Sequence, residues 1–244
     1  MEVHAHTHTA RKKWTHYLWE FLMLFLAVFC GFLAENFREH KVEQLRERQY
    51  ISSMMDDVKL DMSALNTIAG RRIRRKEMFD SLTLLLNSSR KDQFTTKLYF
   101  FCRHIQRLSP VNFTYNDRTI QQLKNGGNMR LIRKQRVTDA IVLYDAAVRD
   151  MSLTEERESN YMMQSLPHVY RIFDGKVMDL MIDSTGAILE PPGVVSLLQP
   201  SATDLVDFNG SFHSVKASNI VTLTKVKNLL TEGQKLLTIL EHEY

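Results

Sequence analysis

Three groups of residues have the types and spacing for chemistry. His4, His6 and His8 alternate with small residues in HAHTHT. Alternate imidazoles on an extended segment face one way and could hold a transition metal weakly. A solvated polar tail explains them more simply, and no metal site is expected. Glu20 lies at the edge of a long apolar run. A carboxylate there either meets a polar partner inside a membrane or snorkels to nearby headgroups. Arg71, Arg72, Arg74, Arg75 and Lys76 form the densest basic run. They could contact an anion or an acidic partner; a solvated charged face is the simpler alternative. Nucleic acid is not an expected partner, because no aromatic interleaving or groove-reading motif accompanies the run. Motifs of the type GxxxxGK[ST], GxSxG, HExxH and paired CxxC do not occur, so neither a cofactor nor a catalytic residue is expected. Cys30 and Cys102 are far apart, and no internal disulfide is expected.

These groups depend on the elements that carry them. From Phe21 to Ala34 no side chain is polar. Extending back to Trp14 gives roughly 31 Å of helix, which matches a bilayer core. The Leu, Phe and Val residues in 21–34 favour insertion by roughly 4 kcal/mol in sum. One charge costs about 2.5–3.5 kcal/mol at the bilayer centre and less near an end, so Glu20 does not prevent insertion. Trp14, Tyr17 and Trp19 suit an interfacial belt. A cleavable signal is disfavoured, because Phe32 falls near a cut after Ala34, where a small residue belongs. A retained transmembrane helix over 14–37 is therefore expected, following a basic His-containing tail at 1–13. Basic residues nearly tie across it: Arg11, Lys12 and Lys13 before, and Arg38, Lys41, Arg46 and Arg48 after. A short basic tail commonly stays inside as a signal-anchor. The expected arrangement is an amino terminus in the cytoplasm and the rest in the periplasm.

Residues 38–244 read as a helical domain. Ile51, Met55, Val58, Met62 and Leu65 are spaced 4, 3, 4, 3, an a/d seam on a helix that leaves the membrane directly and resumes after Gly70 towards Leu86. Thr95–Leu108 carries a second helical pattern, ended by Pro110. Val137, Ile141, Tyr144, Val148 and Met151 mark a third from about Met129, with Pro167 as a kink or break. Leu223, Val226, Leu230, Gly233, Leu237 and Leu240 mark a fourth over about 217–241. The predicted fold is all-α: an antiparallel four-helix-bundle-like domain following the anchor. An intermolecular coiled coil is the alternative for the first seam. Residues 183–212, with Pro191, Pro192 and Pro200, read as a long turn-rich surface excursion. In 115–134, Asn116 or Asp117 can cap a short helix, Gly126 and Gly127 can end it, and Asn128 can cap the next.

HTARKKWTHYLWEFLMLFLAVFCGFLAEN, REHKVEQLRERQYI and NDRTIQQLKNGGNMRLI together resemble an uncharacterised family of single-span membrane proteins from Bacteroidota-type bacteria. The resemblance covers about 1–50 and 115–135, and the carboxy-terminal half only loosely. It implies a retained anchor, a bacterial envelope location and a helical domain, and it brings no activity, cofactor or catalytic residue.

A net charge of +4 over 244 residues, with 44% apolar and 25% charged residues, is ordinary for a folded protein. No enzyme is expected. The first functional expectation is a binding or sensory module of the bacterial envelope. The alternative is a structural or assembly subunit that meets another membrane protein, or a second copy, through its transmembrane helix. The short tail before Trp14 offers little for cytoplasmic signalling, which argues for a partner.

Overall fold

In a computed structural model, residues 13–107 and 112–244 are described. The chain divides into two units, Met1–Gln49 and Tyr50–Tyr244. Helix α1 (Trp14–Leu86) supplies residues to both. No proline occurs before Pro110, and Gly31 and Gly70 are the only glycines in α1. Neither interrupts it, so the expected pause at Gly70 is absent: a lone glycine weakens a helix by only about 1 kcal/mol.

In the first unit, α1 is apolar through Ala34 and then heavily charged. Arg38 Nε donates to Glu35 Oε2 at 2.9 Å, one turn apart.

The second unit is a bundle with four limbs. The first is α1 from Tyr50 to Leu86. The second is broken into α2 (Thr95–Arg107) and α3 (Arg118–Asn125). The third is α4 (Gln135–Val169) and the fourth is α6 (Ala202–Glu243). Short α5 (Gly175–Leu180) lies between these last two. Contacts fix the directions. Asp57 meets Thr119 and Asp61 meets Asn116, so α1 and the second limb run oppositely. Asp61 meets Tyr144 and Arg72 meets Glu158, so α1 and α4 run alike. Asp150 meets Lys225 and Glu158 meets Thr222, so α6 returns against α4. The all-α class and the antiparallel four-limb order agree with the sequence reading. The expected end of the second helix at Leu108 and Pro110 lies outside the described residues.

The three long helices share one repeat. From Ile51 onward a seam of buried positions in α1 runs 51, 54, 58, 61, 65, 68, 72, 75, 79, 82 and 86, with Asp57 buried beside it. In α4 the seam runs 137, 141, 144, 148, 151, 155, 158, 162, 165 and 169, with 140, 145 and 154 buried beside it; in α6 it runs 208, 212, 215, 219, 222, 226, 229, 233, 236 and 240, with 218, 223 and 237 beside it. Every step is 3 or 4 in alternation, the knobs-into-holes period of 3.5. The apolar core nevertheless forms two clusters. One gathers Ile51 to Ile68, Phe113 to Ile132, Val137 to Met151 and Val226 to Leu240. The other gathers Phe79 to Leu86, Leu98 to Ile105, Met162 to Met181 and Val195 to Val215. Between them each long helix presents two polar seam residues: Arg72 and Arg75, Glu155 and Glu158, Asn219 and Thr222.

The segment expected as a surface excursion over 183–212 is shorter and anchored. Helix α6 already starts at Ala202, where Ser201 and Asp204 form a reciprocal capping box. Residues ahead of it pack on the second cluster: Val195 and Leu197 are buried, Tyr99 Oη donates to Ser196 O at 3.1 Å, and Leu198 N–H donates to Ile172 O at 3.0 Å. Pro167 neither kinks nor breaks the middle of α4, because it falls in the last turn before Val169.

Candidate functional site

The first candidate is the apolar stretch of α1. Its most apolar 18 residues have a mean hydropathy of 2.0, and none of that stretch is buried. Trp14, Phe21, Met23, Leu24, Val28 and Phe32 are all more than 60% exposed. A helix that is apolar on every side needs an apolar environment around it. Nothing among the described residues of this unit supplies one. The rings of Phe21, Phe25 and Phe29 stack along one face, with centroids 6.3 and 5.9 Å apart. Glu20 Oε1 lies 3.1 Å from His16 Nε2, one turn back towards the start of the helix. The carboxylate thus pairs towards the start of the helix, away from the apolar stretch that follows it. His4, His6 and His8 lie outside the described residues.

The second candidate is the polar layer between the two core clusters. Arg72 Nη1 donates to Glu158 Oε2 at 2.6 Å, and Arg72 Nη2 donates to Glu155 Oε1 at 3.4 Å. Arg75 Nη1 donates to Glu158 Oε1. Thr222 Oγ1 donates to Glu158 Oε2 at 2.9 Å, and Asn219 Nδ2 donates to the Arg72 carbonyl at 3.1 Å. Glu155 also accepts the Phe113 N–H at 3.1 Å, which ties the break in the second limb to α4. Two cations face two anions, so the layer is neutral. Burial pulls the Arg75 guanidinium below its usual range, and Glu158 opposes that pull. Burial likewise pushes Glu155 up, against the Phe113 N–H and Arg72.

The basic run therefore does not form the solvated face expected of it. It splits by helical period. Arg72 and Arg75 occupy seam positions and are buried, while Arg71 and Arg74 are exposed. Lys76, half-exposed, pairs with Asp80 at 2.9 Å. Arg71 and Arg74 alone remain in solvent as contacts for an outside anion or partner.

No family model, curated protein or solved structure matches this chain. Its site must be read from its own geometry.

A third polar cluster has no counterpart in the sequence reading. Asp61, buried at a seam position, accepts from Asn116 N–H at 2.9 Å, Asn116 Nδ2 at 2.7 Å and Tyr144 Oη at 2.8 Å. Burial outweighs these bonds and pushes its carboxyl above the usual range. Asp57, one turn earlier, accepts from Thr119 N–H at 3.2 Å and from Thr119 Oγ1. A carboxylate of α1 thus occupies the amino end of α3, the place for a negative charge on a helix. Asp117 stands at the expected capping position but caps nothing with its side chain. Asn128 does not cap the next helix; its Nδ2 donates to Tyr50 Oη at 3.0 Å and to Gln122 O at 3.2 Å. Gly127 is left-handed at φ 63°, as a turn ending α3 requires. Gly233 sits on the seam opposite Tyr144, where an added Cβ would come within 3.4 Å of the ring.

Cys102 is fully buried, and burial pushes its thiol up, which keeps it unreactive. Burial and nearby carboxylates hold the Tyr115 phenol at about 12. Among the described residues no group of three or more His, Cys, Asp or Glu could hold a metal ion.

Proposed function

We propose that this chain is a single-pass, membrane-anchored helical protein of the bacterial inner membrane, acting as a non-enzymatic binding or sensory module. The observation that carries the reading is the apolar stretch of α1, exposed on every side within its unit. The core helix of a soluble domain would bury that surface, and this one does not. A lipid bilayer is the environment that fits it. The helix also continues without a break past Ala34, the point at which a signal sequence would have to be cut. In this reading the amino terminus is cytoplasmic and the bundle periplasmic, in line with the resemblance to envelope proteins.

The second reading is an assembly subunit. The Phe21, Phe25 and Phe29 stack and the Glu20 carboxylate would then contact a membrane partner or a second copy. Mild crosslinking in native membranes, followed by identification of what co-purifies, separates the two. A defined membrane complex joined through residues 14–37 supports the subunit. A chain recovered without a protein partner but with a bound small molecule supports the binding module.

A further inference from the structure

Arg103 and Arg107 lie one turn apart on α2. Like charges at that spacing repel. The deeply placed arginines of α1 each have a carboxylate: Arg72 has Glu155 and Glu158, and Arg75 has Glu158. Arg103 and Arg107 make no ion pair among the described residues. With Gln106, they line a cavity of about 420 Å³ whose opposite wall is Ile182, Gly186 and Ile188. That wall is a stiff turn. Ile182 and Ile188 bridge antiparallel, Gly186 takes φ 77°, and Asp183 Oδ1 accepts from Thr185 N–H, Thr185 Oγ1 and Ala187 N–H. Those bonds all fall on Oδ1 of Asp183, whose charge Arg107 stabilises from beyond ion-pair distance.

The polar wall is short of acceptors. Arg103 Nη1 donates to Gln106 Oε1 at 3.2 Å, which leaves the amide nitrogen of Gln106 as the group free to act. Gln106 Nε2 and Arg103 Nε are both buried without an acceptor. A buried donor left unsatisfied is costly, and guanidinium groups match carboxylates in planar, two-pronged geometry. Donors gather on one wall and branched aliphatic side chains on the other. The volume falls within the range of small-molecule sites, about 300–1,000 Å³.

We propose that this cavity binds a small organic carboxylate, with the head group on Arg103, Gln106 and Arg107 and the apolar body against Ile182 and Ile188. The assignment deepens the binding-module reading and rests on it. The anchor plays no part in the measurement, so its failure would show elsewhere.

The test uses the full chain in neutral detergent micelles and isothermal titration calorimetry with three probes: hexanoate, hexanol and inorganic phosphate. Hexanoate binds saturably, at least about tenfold more tightly than either of the others. Arg107→Gln, a change at an exposed residue, weakens hexanoate at least tenfold and leaves helicity and melting temperature unchanged. Ile188→Ser weakens it too, by severalfold. No saturable hexanoate binding overturns the proposal, as does undiminished binding by the Arg107→Gln protein. Phosphate binding equal to hexanoate overturns the role of the apolar wall, and with it the assignment.

Discussion

Glu158→Leu is expected to be among the most damaging single changes in the bundle. Glu158 is 1% exposed and accepts from Arg72, Arg75 and Thr222. The layer holds two cations and two anions; removing one anion leaves a net charge of +1 in the core. Breaking a buried pair in this way costs about 3–5 kcal/mol. A domain of this size has about 5–15 kcal/mol in all. At about 2–4 °C per kcal/mol, the melting temperature falls by roughly 6–20 °C. Circular dichroism melts of the full chain in nanodiscs measure it. The double variant Arg75→Leu with Glu158→Leu restores neutrality, since Arg72 and Glu155 remain, and recovers at least half of the loss. It also removes the Arg75 Nε and Nη2 donors, which are buried without acceptors. A Glu158→Leu shift within about 1 °C refutes the reasoning. So does a double variant as unstable as the two single losses added together.

Asp61→Asn tests the clamp on the second limb through pH. Burial raises the Asp61 carboxyl in the folded chain above its ordinary 3.8. The folded state therefore holds that proton more tightly, and wild type loses stability as pH rises from near 3.8 through the raised value. The amide does not ionise, so the Asp61→Asn chain should gain relative to wild type on going from about pH 3 to pH 7. Parallel melts over that range check this, and a flat or falling difference would count against it. Gly126→Ala places a Cβ 2.8 Å from Gln122 O and 2.5 Å from Asn128 Nδ2. The backbone oxygen cannot yield easily, so about 1–3 kcal/mol of destabilisation is expected. Hydrogen exchange should quicken across residues 118–131 first.

Much of the architecture is legible in the apolar pattern. In α4 the positions Val137, Ile141, Tyr144, Val148 and Met151 are the buried seam itself. In α1 the choice of apolar residues alone selects Met55 and Met62, whereas the buried positions are Met54 and Asp61. Both choices alternate 3 and 4, and a count of apolar residues has no reason to prefer an aspartate. Extending the true register past Gly70 gives 72 and 75, so the burial of Arg72 and Arg75 could have been read from phase. Continuing the α4 seam gives 155 and 158 in the same way. Polarity hid the layer, although the period contained it. The start of α6 was readable from Ser201 and Asp204, three apart, but Asn209 and Gly210 look like a turn. A long, well-packed helix absorbs them. The role of Asp57 was not readable, because the helix it caps begins far along the chain, at Arg118. Only the folded bundle brings the two together, with Arg118 Nη2 3.1 Å from Asp57 Oδ1.

The central claim is that residues 14–37 remain attached and lodged in lipid. Alkaline carbonate extraction of membranes from expressing cells, with intact-mass measurement of the protein in the pellet, tests it directly. The account predicts full retention in the pellet, with residues 14–37 still part of the intact mass. A protein released to the supernatant, or a mature chain beginning after Ala34, would contradict it.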